Sequence, residues 1–317
     1  MPDLPPIRPE FLWLFGGLAT LLAIASAIGW VLARRADTPA KAEVVANLNA
    51  RVAAWWAMVA VLAAAFLLGR NVTLVVFAFM AYFALREFVT LTPMRTGDRL
   101  PLAIAFFVVL PAQFLLIGLD QYGTFSIFVP VYAFLLLPAI AALRGDVEDF
   151  LSRTAKLQWG LLVTVYCLSH APALLLLDID GYAGQNALLL FYLLFVVQIS
   201  DVLQYVFGKL YGRTKIAPVV SPSKTVEGFV GGGLAATLVG TALWWITPFT
   251  PLAAAALSAI VVVMGFLGGL TLSAVKRSLG AKDWGVMIEG HGGMLDRLDS
   301  VCFAAPVFFH LTRYFYG

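Results

Sequence analysis

The sequence predicts an all-α polytopic membrane protein with about ten transmembrane helices and a polar site facing the cytoplasm, and three observations lead there. The chain is 61% apolar and only 12% charged, with a mean hydropathy of +0.90, a balance that suits a bilayer better than water. Apolar runs of about 18 residues or more, long enough to cross a ~30 Å hydrocarbon core as helix, recur along the chain with short polar gaps between them. Basic residues crowd into alternate gaps, as they do when Lys and Arg near span ends stay on the cytoplasmic side.

Ten spans are predicted, at roughly 11–33, 52–69, 71–90, 100–118, 125–143, 159–177, 187–207, 227–247, 252–272 and 298–315. The first run has no basic cluster before it and no small-residue cleavage site, and Arg34 and Arg35 follow it, so it reads as a retained anchor. Gly69, Arg70 and Asn71 leave only a tight turn between the second and third runs, which keeps counts of eight or nine open. Of the 21 basic residues, 18 fall in five alternate gaps: Arg34 to Arg51, Arg86 to Arg99, Arg144 to Lys156, Lys209 to Lys224, and Lys276 to Arg297. Arg8, Arg70 and Arg313 fall on the other side, so both termini are expected outside. The outer connections at 118–125, 178–184 and 247–251 are short and read as turns. Cys167 and Cys302 lie inside apolar runs and read as small core residues, and His170 and His310, isolated in apolar spans, read as structural. Nothing calls for a sizeable soluble domain or for nucleic acid as a partner. The chain divides into N-terminal transmembrane helices, 1–185, and a C-terminal transmembrane region, 186–317, that holds the candidate chemistry.

Two inner connections are longer and more polar than a link between helices requires. The second, 273–299, reads SAVKRSLGAKDWGVMIEGHGGMLDRLD. If the preceding span continues as helix, Ser273, Lys276 and Arg277 stand at i, i+3 and i+4 and offer a hydroxyl and two cations on one face. Asp296 and Asp299 share a face where the last span begins, with Asp283 available from the loop. Such carboxylates suit Mg²⁺, which keeps phosphate oxygens among its ligands. Between them, His291, Gly292 and Gly293 let backbone N–H groups approach an anion closely. The plainer reading is that Lys276, Arg277 and Arg297 are inner-side anchors and Asp296 a favourable charge at a helix start.

In the first connection, 199–232, Asp201 ends a long apolar run, where an ionisable group is costly unless paired or functional. Ser221, Lys224, Thr225 and Glu227 lie in SPSKTVEG, just before the next span. They read either as a helix start, with Ser223 or Thr225 as N-cap and Glu227 in the first turn, or as a phosphate cradle at that helix N-terminus.

The string from Ser273 to Asp299 closely resembles the motif of the phosphatidate cytidylyltransferase (CDP-diacylglycerol synthase) family: S-x-x-K-R, four residues, K-D, then H-G-G-x-x-D-R-x-D. The matching positions are Ser273, Lys276, Arg277, Lys282, Asp283, His291, Gly292, Gly293, Asp296, Arg297 and Asp299. SPSKTVEG is similar to the family's S-P-K-K-T-x-E-G element, and the likeness runs from about Leu190 onward. This sequence departs from the pattern at four places. Gly268-Gly269-Leu270 stands for Gly-Asp-Leu, which removes a carboxylate the family is thought to use for metal. Glu289 replaces a proline or glycine, Ser223 replaces a lysine, and Val202-Leu203-Gln204-Tyr205 follows Asp201 in place of Ser-Gly-Ala-Tyr. These mark a divergent branch.

The resemblance implies a multi-pass protein of a bacterial inner membrane that transfers CMP from CTP to phosphatidate, with Mg²⁺ as cofactor and the lipid bilayer around it; a homodimer is allowed. It implies Asp296, Lys276 and Asp283 as catalytic groups. Ser221, Lys224, Thr225, Glu227, Ser273, Arg277, His291, Gly292, Gly293 and Arg297 would bind substrate, and Asp296, Asp283, Asp299 and Asp201 would hold metal. The alternatives are a CTP-dependent kinase of a lipid alcohol and a non-catalytic relative or transporter.

Overall fold

A computed structural model of the chain describes residues 9–287 and 292–317. The expectations for His291 and Glu289 lie outside the described residues. Ten helices stand where ten spans were expected: α1 Pro9–Arg34, α2 Pro39–Leu67, α3 Arg70–Leu91, α4 Thr96–Gly118, α5 Tyr122–Ala142, α6 Phe150–Leu176, α7 Asn186–Tyr211, α8 Gly228–Ala242, α9 Pro251–Ser278 and α10 Leu295–Tyr316. A two-stranded antiparallel hairpin, β1 Lys215–Ala217 and β2 Ser221–Thr225, lies between α7 and α8.

Eight of the ten helices, α1 to α7 and α9, are long and apolar enough to cross a bilayer, and the protein is a multi-pass membrane protein. The other two are those that open on the polar connections. Gly228–Ala242 is short, ending in a tight turn at Trp244–Ile246, and α10 carries Asp296, Arg297 and Asp299 in its first turns. The turn between α2 and α3 is made by Gly69 at φ +93, a conformation that a side chain would strain.

One boundary moved. The basic stretch before the second span is helix from Pro39 onward. Thr38 caps it, accepting from Lys41 N at 3.4 Å, and Pro39 fits the first helical position. The alanine-rich residues that follow favour helix whether or not lipid surrounds them.

The first two helices pack on each other and touch the bundle through Phe15 against Phe191 and α2 against α3, yet only Leu22 and Gly29 of α1 and Ala65 of α2 are buried. In contrast, α7 runs through the middle, with Leu188 to Leu193, Val196 and Val197 all buried against α8, α9 and α10. Several polar groups inside this core are met by hydrogen bonds, as a low-dielectric interior favours. Tyr192 Oη lies 2.6 Å from Ser258 Oγ, and Gln113 Nε2 donates to Ser169 Oγ at 3.1 Å and Phe125 O at 3.2 Å. His170 is fully buried; its Nδ1–H donates to Tyr166 O at 2.8 Å, and its ring packs on Phe125, Phe309 and His310. Cys167 and Cys302 are free thiols in the bundle.

The crossing of α7 and α8 is close enough to bring backbone onto backbone. A Cβ at Gly232 would come within 2.6 Å of Leu203 C. Gly232→Val is therefore expected to lower stability by about 1–3 kcal/mol, the usual cost of overpacking, read as a lower thermal unfolding midpoint in detergent.

Candidate active site

The ends of α3, α7 and α9 and the starts of α8 and α10 meet at one end of the bundle, and their polar side chains form two linked centres. The first is built on Asp296, in the first turn of α10. Its Oδ1 pairs with Lys276 Nζ of α9 at 2.5 Å, with side-chain exposures of 5% and 11%. Its Oδ2 accepts the N–H of Trp284 at 2.8 Å and of Gly293 at 2.9 Å. A carboxylate at a helix N-terminus is favoured by the exposed amides there, and Asp296 also folds the incoming loop back onto itself. Gly292, at φ +81, lies so near that a Cβ would stand 2.8 Å from Asp296 Oδ2 and 3.5 Å from Asp283 Cβ. Asp283, exposed, is thus the neighbour of Asp296 across Gly292.

The loop is fastened to the N-terminal half by two residues that sequence reasoning missed. Phe88 of α3 stacks on the buried Trp284 ring at 5.4 Å and 29°. Glu87 beside it accepts the N–H of Met294 and of Leu295, each at 2.8 Å. In the sequence Glu87 is an acid beside Arg86 at the end of an apolar run, and that acid in an apolar setting is the one local signal it carries.

The second centre joins α7 to α10. Ser300 Oγ donates to Asp201 Oδ2 at 2.9 Å and lies 3.4 Å from Asp299 Oδ1, which also accepts the Ser300 N–H at 2.8 Å. Two carboxylates therefore converge on one hydroxyl. Lys224, from β2, reaches the same region: its Nζ lies 3.4 Å from Phe266 O and 4.5 Å from the centre of the Phe266 ring. A Cβ at Gly269 would stand 3.0 Å from that ammonium and 3.6 Å from Asp299 Oδ2, so the missing side chain is the space Lys224 uses. Burial pushes the Lys224 ammonium below its ordinary pKa, Asp201 and Asp299 draw it back up, and Lys276 adds to the lowering.

Mg²⁺ is commonly held by one or two carboxylates with phosphate oxygens and water completing its shell. The Asp201 and Asp299 pair fits that demand. Among the described residues no three His, Cys, Asp or Glu side chains converge to form a closed cage. Asp296 offers less, because its oxygens are already met by Lys276 and two amides.

The remaining candidate residues are placed as follows. Ser273 Oγ donates to Gly269 O of its own helix at 2.6 Å. Arg277 ties the two connections together, with Nε 3.4 Å from Val220 O and Nη1 3.2 Å from Ala281 O. Ser221 opens β2 opposite Ala217. Arg297 is half-buried, its backbone carbonyl accepting from Gln198 Nε2 at 3.3 Å. Thr225 Oγ1 accepts the Gly228 N–H at 3.1 Å, just ahead of α8. Glu227 closes the stretch from the other side by accepting the N–H of Arg213 at 2.9 Å and of Thr214 at 3.1 Å.

Fold and site together define a class: multi-pass membrane proteins that gather cations and carboxylates from several helix ends at one end of the bundle. The chain belongs to the cytidylyltransferase family, whose pattern matches residues 49–315. It is similar to Uncharacterized protein YnbB of Escherichia coli (strain K12), 38% identical over 272 residues, 84% of this chain and 88% of that protein. It is also similar to the phosphatidate cytidylyltransferases of Staphylococcus saprophyticus subsp. saprophyticus, 43% identical over 124 residues, and Staphylococcus aureus (strain COL), 39% over 118. Those two matches each take in 37% of this chain, and 47% and 45% of the enzymes, so the chain aligns with about half of their length. The family match reaches well into the N-terminal half, beyond the Leu190 limit of the motif likeness.

The Glu227 geometry has a pH signature. Backbone N–H donation, from Arg213 foremost, holds its carboxyl at about 2, below the ordinary 4.5. A carboxyl depressed in the fold stabilises it above the unfolded value and ceases to do so as pH falls through the folded one. The protection of the Arg213 and Thr214 amides, read as exchange relative to an unstructured chain at the same pH, is therefore expected to fall as pH drops from 4.5 towards about 2, and Glu227→Gln is expected to show the low protection already at neutral pH.

Proposed function

We propose that the protein transfers CMP from CTP to phosphatidate, or to a closely related lipid phosphate, releasing pyrophosphate and leaving CDP-diacylglycerol. The observation that carries this reading is the convergence of Lys224, Lys276, Asp201 and Asp299, from two separate connections, at one end of the bundle. Membership of the cytidylyltransferase family and the names of the staphylococcal relatives support it.

A lipid phosphate oxygen forms a bond to the α-phosphorus of CTP while the bond from that phosphorus to the β-bridging oxygen breaks. Both reactants are anions, so the chain's task is to neutralise charge and align the two oxygens. Lys224, Lys276, Arg277 and Arg297 face this task as fixed cations, with Lys276 the most buried. Asp296 holds the Lys276 ammonium in place through its 2.5 Å pair, while Asp283 stands next to it on the solvent side. Asp201 and Asp299 are the groups we assign to Mg²⁺, which when bound would neutralise phosphate oxygens. Ser221, Ser273, Thr225 and the Gly292–Gly293 turn shape the walls.

The distribution of 18 of the 21 basic residues supports a cytoplasmic orientation of this end. There CTP arrives from water and the lipid phosphate from the headgroup layer, where each nearby cation adds ~1 kcal/mol of attraction.

The experiment is to incubate purified protein with CTP, Mg²⁺ and phosphatidate and to identify products by mass. CDP-lipid with pyrophosphate is expected; CDP with a newly phosphorylated lipid alcohol would instead identify a kinase. Asp299→Asn, which keeps shape and removes charge, is expected to lower CDP-lipid formation by about a hundredfold or more, and unchanged turnover would reject the assignment.

A further inference from the structure

We infer that Glu87, on α3 in the N-terminal half, is a positioning residue for the site, setting the place of Asp296 and through it the Lys276 ammonium. The inference rests on the cytidylyltransferase reading for its kinetic consequence, and on geometry alone for the rest.

The Glu87 carboxylate meets a stretch more than 200 positions away in sequence, with each oxygen taking one backbone N–H: Oε1 from Met294 and Oε2 from Leu295, both at 2.8 Å. The adjacent amide, of Gly293, is taken by Asp296 Oδ2 at 2.9 Å. Three successive N–H groups at the start of α10 are thus already donated to carboxylates of the chain, and substrate phosphates must be met by side-chain cations instead. Glu87 also shapes the loop sterically. A Cβ at Gly285 would stand 2.8 Å from Glu87 Oε1, and one at Gly293 would strike Oε2. Only bare backbone can pass on either side of this carboxylate.

Glu87 does not act alone. Phe88 stacks on Trp284, and the Trp284 N–H is the other amide held by Asp296 Oδ2, at 2.8 Å. Two consecutive residues of α3 therefore fix both flanks of the loop, one at Trp284 and one at Met294. The amides of those flanks aim Asp296 Oδ2. With Oδ2 aimed, Oδ1 determines where Lys276 Nζ sits. A group that supports a site in this way commonly matters about 10- to 100-fold when altered, because displacements near 1 Å misalign reacting atoms.

The test uses full-length protein in detergent or nanodiscs. Glu87→Gln keeps the shape but replaces one acceptor oxygen by a donor that faces another N–H. Amide exchange at Met294 or Leu295 is expected to quicken, and kcat for CDP-lipid formation to fall about 10- to 100-fold with KM for CTP moving less than about threefold. Glu87→Asp, which keeps the charge but is one methylene shorter, is expected to fall between wild type and Glu87→Gln. Wild-type kcat with unchanged exchange in Glu87→Gln would overturn the inference. So would KM rising with kcat constant, or failure of both variants to fold, since Glu87 would then serve binding or the fold at large. A wild-type protein that makes no CDP-lipid would sink the proposed activity alone, and the exchange measurement would still decide the place of Glu87.

Discussion

The pair between Lys276 and Asp296 is the interaction on which the polar end of the bundle depends. An unpaired ammonium or carboxylate at that burial would cost several kcal/mol, and joining them at 2.5 Å cancels most of that cost. The pair fixes the end of α9 against the start of α10, and the second Asp296 oxygen holds the loop between them through two amides. Loss of either partner would leave the other buried without compensation, so the two side chains form one structural unit whichever of them touches substrate.

Around that unit, the bundle divides its labour by burial. The helices α1 and α2 present nearly all of their surface outward, which in a bilayer costs nothing because lipid tails are as apolar as leucine. The centre is α7, buried along its first half and polar where it reaches Asp201. Glycines let α8 lie directly on it, and this brings the Lys224 strand over the Asp201–Asp299 pair. The polar groups are thus held on helix ends whose remainders are apolar. A rigid apolar scaffold beneath a charged rim suits a reaction between a soluble nucleotide and an insoluble lipid.

Some of the site was legible in the sequence. Asp296 and Lys276 stood out because charge is rare in this composition, and the spacing of Ser273, Lys276 and Arg277 depended only on helix geometry. Thr225 and Glu227 could be read as a helix start from local chemistry, since an N-cap bonds within three residues. Other features were closed to that kind of reading. Ser300 looked like any small residue at the head of a span, and only the approach of α7 makes it the hydroxyl between two acids. Phe266 lies in an apolar span with nothing local to mark it, and its carbonyl and ring receive Lys224 only because β2 turns back over α9. Glu87 read as one more charge beside Arg86.

The sequence alone determined the solvent, the order of the apolar helices and the identity of most polar groups, because all of these follow from hydropathy and from contacts a few residues long. Only the tertiary structure decided which charges meet. Lys276 could have faced Asp283, Asp296 or Asp299, all of them further along the same connection, and α3 could have touched the last helix or missed it. Those choices come from packing ten helices side by side, where partners are set by position in the bundle and lie as far apart in the chain as Glu87 and Leu295.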